Sequence, residues 1–204
     1  MNASPHRLEE REHQKGGARN GELGDGTEVS STAPVTVSGI TNATAISAGG
    51  QHACALLSGG TVECWGVNWG RVPYESGPST HAVPAPVPGI TDAVAIAAGG
   101  DHTCALLSGG KVVCWGADAS GQLGNGQTVG QVGNGGTDGS TKPVPVSGIT
   151  DATGIFAGGY GYGLSSACAV VSGGKVVCWG ANDKGQLGDG TQTSRSTPVK
   201  VTVL

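Results

Sequence analysis

Aromatic side chains make up only 4% of the 204 residues, with one Phe, three Tyr and four Trp. The usual aromatic-rich interior is excluded, so Val, Ala, Leu, Ile and Trp must fill the core. No apolar run approaches the roughly 18 residues that would suggest a membrane span, and membrane insertion is not expected. The N-terminal stretch lacks the apolar segment of a secretory signal. Lys and Arg number only 11 against 15 acidic residues, for a formal charge of −4, and they do not cluster. A nucleic-acid backbone needs clustered cations, so DNA or RNA is not expected as a partner.

Glycine is abundant, with 39 residues, and it is patterned. The segment Cys54-Ala-Leu-Leu-Ser-Gly-Gly-Thr-Val-Glu-Cys64-Trp65-Gly66 returns as Cys104 to Gly116 and again as Cys168 to Gly180. Self-similarity at this period marks a propeller or repeat array. Residues 1–20 are polar and mixed in charge, and are read as a disordered tail. Residues 21–204 are read as one repeat domain, with units at about 31–80, 81–140 and 141–196 and partial units at both ends.

Each unit contains four runs of β-forming residues bounded by Gly, Asp and Ser. In the second unit these are Pro86–Ile90, Ala93–Ala98, His102–Leu107 and Lys111–Trp115. Proline in the first run suits an edge strand. Four short strands per unit describe the blades of an all-β propeller, here about three to three and a half repeats. Because both ends cut through the repeat, two readings stand: a piece of a longer product, or an open arc that closes by self-association.

All six cysteines occupy matching positions. A Ser-Gly-Gly hairpin loop pairs Leu57 with Thr61 and brings Cys54 opposite Cys64, within disulfide reach. One disulfide per hairpin is expected: Cys54–Cys64, Cys104–Cys114 and Cys168–Cys178. The alternative is three pairs of buried, reduced thiols. Disulfides imply an oxidising compartment, so an extracytoplasmic or secreted location is expected despite the missing signal segment. Metal binding is not expected, because there is no Cys-x-x-Cys and no other ligand repeats in step.

The run Ala-Gly-Gly-Asp101-His102-Thr-Cys-Ala-Leu-Leu-Ser-Gly-Gly-Lys-Val-Val-Cys-Trp115-Gly116, with Gly121-Gln122-Leu123-Gly124-Asn125-Gly126 after it, resembles the regulator of chromosome condensation repeat family, in a bacterial-type member or a fragment. The resemblance covers roughly residues 17–204. It implies a propeller, usually seven-bladed, with each sequence repeat shared between neighbouring blades. Family members are mostly binding scaffolds. They include a nucleotide-exchange factor for a small GTPase and a bacterial inhibitor of β-lactamases.

Little catalytic chemistry is encoded. His52 and His102 follow Gly-Gly in successive units, and recurrence at a repeat position favours a structural hydrogen bond over acid–base work. Trp65, Trp115 and Trp179 are read as blade-to-blade packing. Asp25 and Asp189, with Asn125 at the matching site, suit Asx turns. No Ser-His-Asp or Cys-His set can be assembled, no glycine-rich stretch precedes a helix, and no cofactor is expected. Residues 133–139 offer thin support for a calcium loop, and Asn42-Ala43-Thr44 fits a glycosylation sequon that chance also supplies.

Function in a scaffold sits on its irregular loops. The first unit has Val67-Asn68-Trp69-Gly70-Arg71-Val72-Pro73 in place of the Gly-Gln-Leu-Gly block, and the third has Tyr160 to Ser166 in place of Asp-His. Extra residues also enter between Gly126 and Thr141. Trp69, Arg71, Tyr74, His81, Tyr160 and Tyr162 are the candidate partner-binding residues, since Trp, Tyr and Arg dominate protein interfaces. The expected function is a non-enzymatic scaffold for another protein. Guanine-nucleotide exchange, inhibition of an enzyme such as a β-lactamase, and carbohydrate binding are the alternatives.

Overall fold

The computed structural model describes residues 19–67, 80–127, 139–160 and 164–202. The described residues form three four-stranded antiparallel sheets. The first holds β1 (Ala43–Ala48), β2 (His52–Leu57), β3 (Val62–Val67) and β4 (Thr80–Pro86), in that order. The second holds β5 (Ala93–Ala98), β6 (His102–Leu107), β7 (Val112–Ala117) and β8 (Gly139–Pro145). The third holds β9 (Ala152–Gly159), β10 (Ser165–Val171), β11 (Lys175–Gly180) and β12 (Arg195–Lys200). The short alternating runs become strands, and the Ser-Gly-Gly links become tight turns with Gly60 and Gly110 at positive φ.

The strand grouping differs from the sequence reading by one strand. Pro86, expected to open the second unit, pairs with Glu63 at the end of the first sheet. Pro145 pairs likewise with Val113. Each sheet therefore takes its fourth strand from the following sequence unit, as the family resemblance implies. Spacing alone could not settle this, because the proline run lies between two hairpins and could close either. The proline strands β4, β8 and β12 are sheet edges, where a missing N–H breaks no ladder.

Cys54, Cys104 and Cys168 stand directly opposite Cys64, Cys114 and Cys178. Their S–S separations are 2.13, 2.05 and 2.15 Å, so all three hairpins are cross-linked as the register requires. No helix of the described residues is long and apolar enough to cross a membrane.

The core lies between the sheets. Cys54, Leu56 and Val62 of the first sheet pack against Ala93, Ala105 and Trp115 of the second. Cys104, Leu106 and Val112 of the second pack against Ile155, Ala167, Ala169 and Trp179 of the third. Each seam is stitched by a backbone bond from a first-strand amide to the preceding hairpin turn: Ala93 N–H to Gly60 O at 3.0 Å and Ala152 N–H to Gly110 O at 2.9 Å.

Candidate functional site at the first seam

The Gly-Gly turns bring successive sheets together. Gly50 N–H donates to Gly100 O at 2.9 Å, and a Cβ on Gly49 would run into the Gly99 carbonyl oxygen and the His52 ring. Only glycine permits this approach. The turn delivers His52 into the first seam, where its Nε2 lies 2.7 Å from the Thr103 hydroxyl of the second sheet. Burial holds the His52 pKa down at about 4.

His102 occupies the matching place one sheet later, opposite Gly116 as His52 is opposite Gly66. The residue matching Thr103 in the third sheet is Ala167, since Thr103 pairs with Trp115 and Ala167 with Trp179. A methyl group cannot answer a ring nitrogen. Both nitrogens of His102 are buried without a hydrogen-bond partner among the described residues. Burial first, and the charge of His52 second, push its pKa down to about 3. Burial acts on Asp101 in the opposite direction, raising its pKa.

The tryptophans differ in the same way from seam to seam. Trp179 donates its indole N–H to Gln122 O at 2.9 Å, and Trp65 donates to Glu22 O at 2.8 Å. Each acceptor belongs to a Gly-x-Leu-Gly turn, held by Gly24 N–H to Gly21 O and Gly124 N–H to Gly121 O, both 3.0 Å. Asp25 and Asn125 close these turns by accepting the amides of Thr27 and Gln127 at 2.9 Å each. For Trp115 the corresponding turn would come from the first unit, whose sequence there is Val67 to Pro73 instead. Trp115 has no such carbonyl partner among the described residues.

A cavity of about 140 Å³ opens at this first seam. Its wall includes His52, His81, Asp101, His102, Thr103, Thr141 and the rings of Trp65 and Trp115. His81 comes from β4, opposite Gly66, and is half-buried. Tyr160 follows β9, is 57% exposed and does not line this cavity. Trp69, Arg71, Tyr74 and Tyr162 lie outside the described residues, as do 133–138 of the candidate calcium loop.

Sequence reasoning missed Asp101 and Thr103 as wall residues. A signal was available for the second, because Thr103 is a hydroxyl where the other two units carry Ala53 and Ala167.

The chemistry on offer is neutral hydrogen bonding beside aromatic faces. A general base works best with a pKa near the operating pH. At about 4, His52 is a weak base, and its Nδ1 has no partner among the described residues to orient the ring. Its contact with Thr103 is therefore a seam hydrogen bond. Among the described residues no group of three or more His, Cys, Asp or Glu side chains converges on a metal position.

With this geometry in hand, comparisons with known proteins place the chain. Family models described as the regulator of chromosome condensation (RCC1) repeat match residues 43–68, 93–122 and 173–204. No curated protein matches. Yeast RCC1 (Prp20), solved bound to Kap60, aligns with a TM-score of 0.72 at 19% identity, over 90% of this chain and 43% of that one. Human WBSCR16 aligns with a TM-score of 0.71 at 22% identity, over 92% and 47%. Prp20p of Saccharomyces cerevisiae, in a study of its binding to Gsp1p and histones, aligns at 0.66 and 20% identity, over 81% and 39%. The chain thus spans less than half the length of these proteins, and at such identities the likeness is one of fold. Seam by seam, the geometry and the comparisons agree that the chain carries repeats of the regulator of chromosome condensation family, folded as blades of a β-propeller.

Proposed function

We propose that the chain is a non-enzymatic scaffold that binds another protein, and that the first seam is where it grips. The observation that carries this reading is Trp115. Among the described residues its indole N–H has no carbonyl like those that cap Trp65 and Trp179, and Trp115 borders a cavity beside His81, Asp101 and Thr103. A wall with unused donors, acceptors and aromatic surface suits a peptide segment, which supplies backbone N–H and C=O groups together with an apolar side chain.

In the sequence Trp69, Arg71, Tyr74 and His81 fall in or beside the first unit's departure from the repeat, and Tyr160 and Tyr162 in the third unit's. All six are proposed partner contacts on residue 21–204 as one repeat domain. The three cross-linked hairpins support an oxidising, extracytoplasmic setting. Self-association to close the propeller is a second mode of protein contact open to the same scaffold.

Nucleotide exchange on a small GTPase, and inhibition of a β-lactamase, remain narrower readings that rest on resemblance. The test is a binding panel: immobilised protein against a nucleotide-free small GTPase, a β-lactamase and a random peptide library. A ligand captured by the parent and lost on Trp69→Ala or His81→Ala, at unchanged Tm, is the expected result. Equal capture by parent and variants would remove the first seam from the function.

A further inference from the structure

The cross-linked hairpins share a register and differ in what lies against the bond. Cys104 and Cys114 are both fully buried, in a cluster that includes Ala167 of the third sheet. Cys54 is fully buried too, but its partner Cys64 is half-buried and forms part of the cavity wall. Across the first seam from Cys54 stands Thr103, the residue that Ala167 matches one sheet later. Its hydroxyl oxygen lies 3.7 Å from Cys54 Sγ and 2.7 Å from His52 Nε2. One sulfur of this bond is thus partly open to approach, and the other sits against a hydroxyl backed by a histidine.

A sulfur in a disulfide is a weak acceptor and makes little use of a hydroxyl. A departing thiolate is different: it is charged and buried, and it gains from any hydrogen bond donated to it. Thiol–disulfide exchange is fast where the attacked sulfur can be reached and the other sulfur leaves easily. Cys64 meets the first condition and Cys54 the second. With Nε2 protonated, His52 donates to Thr103 Oγ1, and the hydroxyl hydrogen is free to turn to Cys54 Sγ. At the second seam a methyl group takes the place of that hydroxyl, and neither sulfur is exposed.

We propose that Cys54–Cys64 is a site of thiol–disulfide exchange with a dithiol, in which Cys64 is attacked, Cys54 leaves and Thr103 donates to the leaving sulfur. One thiolate of the dithiol attacks Cys64 Sγ and forms a new S–S bond there. The Cys54–Cys64 bond breaks, and its electron pair leaves on Cys54 Sγ. The second thiolate of the dithiol then attacks the dithiol sulfur in the mixed disulfide and releases Cys64 as a thiolate. The dithiol is oxidised to its own disulfide, and Cys54 and Cys64 take up the protons that its thiols gave up. The product keeps the backbone pairing of β2 with β3, from His52 opposite Gly66 to Leu56 opposite Val62, and places a free Cys64 thiol on the cavity wall. No bound partner at the cavity is needed for this exchange, so it stands apart from the scaffold reading.

The test exposes the folded full chain to excess dithiothreitol, with timed alkylation and peptide mass spectrometry to follow each cysteine pair. In the parent, Cys54–Cys64 is expected to open faster than Cys104–Cys114. Thr103→Val keeps the branched shape and removes the hydroxyl. It is expected to slow the opening of Cys54–Cys64 by roughly three- to tenfold, the worth of one hydrogen bond. Thr103→Ser, which keeps the hydroxyl, should restore the parent rate. Loss of the His52 contact loosens the first seam and by itself would speed opening, so a slower rate cannot come from a weakened fold. Glutathione in place of dithiothreitol stops the exchange at its first step, and the adduct is expected on Cys64. Faster opening of Cys104–Cys114, a Thr103→Val rate equal to or above that of the parent, or an adduct on Cys54 would overturn the proposal.

Discussion

The first and second seams are built from the same parts and finished differently. At the first, His52 has a hydroxyl partner in Thr103 while Trp115 has no capping carbonyl among the described residues. At the second, Trp179 is capped by Gln122 while His102, with Ala167 at the position matching Thr103, has no partner among the described residues. Which of the two side chains finds a described partner thus differs from seam to seam. The difference teaches that a repeat can exchange polar satisfaction between neighbouring positions and keep its packing.

The largest effect expected at either seam is loss of a tryptophan. Trp179→Ala removes a fully buried ring and should cost about 3–5 kcal/mol in chemical denaturation. Trp115→Ala should cost less, since that ring borders a cavity. Equal losses would erase the distinction between the seams.

Acidification comes next. His52 and His102 have folded pKa values of about 4 and about 3, against 6.5 for an ordinary histidine. Below pH 6.5 the unfolded chain takes up protons that the folded rings refuse. Stability is therefore fully present above that pH and is lost as pH falls toward 4 and then 3, by on the order of a few kcal/mol. Asp101, with its raised pKa, works in the opposite direction and offsets part of the loss. Denaturation midpoints measured between pH 7 and pH 4 would check this, and a flat profile would contradict neutral burial.

Cross-links should rank by seam as well. Removing Cys104–Cys114, which is buried in the second seam, should cost about 2–3 kcal/mol from chain entropy plus lost packing. Removing Cys168–Cys178, where Cys168 is half-buried and Cys178 buried, should cost less because fewer packed neighbours are lost. Thermal melts of the two double serine variants would compare them.

A smaller pair of effects sharpens the histidine contrast. Thr103→Ala should lose about 1–2 kcal/mol by orphaning His52, and Ala167→Thr should gain up to about 1 kcal/mol by giving His102 a partner. Urea midpoints read both, and a destabilised Ala167→Thr variant would mean that the second seam has no room for the hydroxyl.

Much of this was legible in the sequence, and what escaped has an identifiable cause. The hairpins, their cysteine register and the propeller class follow from glycine placement and period-two runs, which are local. Ownership of the proline strand was not legible, because β4 lies as near in sequence to the hairpin after it as to the one before. Tertiary pairing decided it in favour of Glu63. The departure at residues 67–73 offered Trp69 and Arg71 as partner contacts, which lie outside the described residues, whereas the cavity wall joins His52 and His81 of the first sheet to Asp101, Thr103 and Thr141 of the second. Their convergence depends on how two sheets face each other, which no single unit reveals. The substitution of Thr103 for alanine was the one available clue, and it reads as drift until its hydroxyl is seen 2.7 Å from His52.

The most direct test is to remove each indole N–H while keeping an aromatic ring, using Trp115→Phe and Trp179→Phe in parallel urea titrations. Trp179→Phe is expected to lose about 1 kcal/mol more than Trp115→Phe, because it alone leaves a carbonyl, that of Gln122, without its donor. Equal losses, or a larger loss at Trp115, would contradict the claim that the first seam holds the unused bonding capacity.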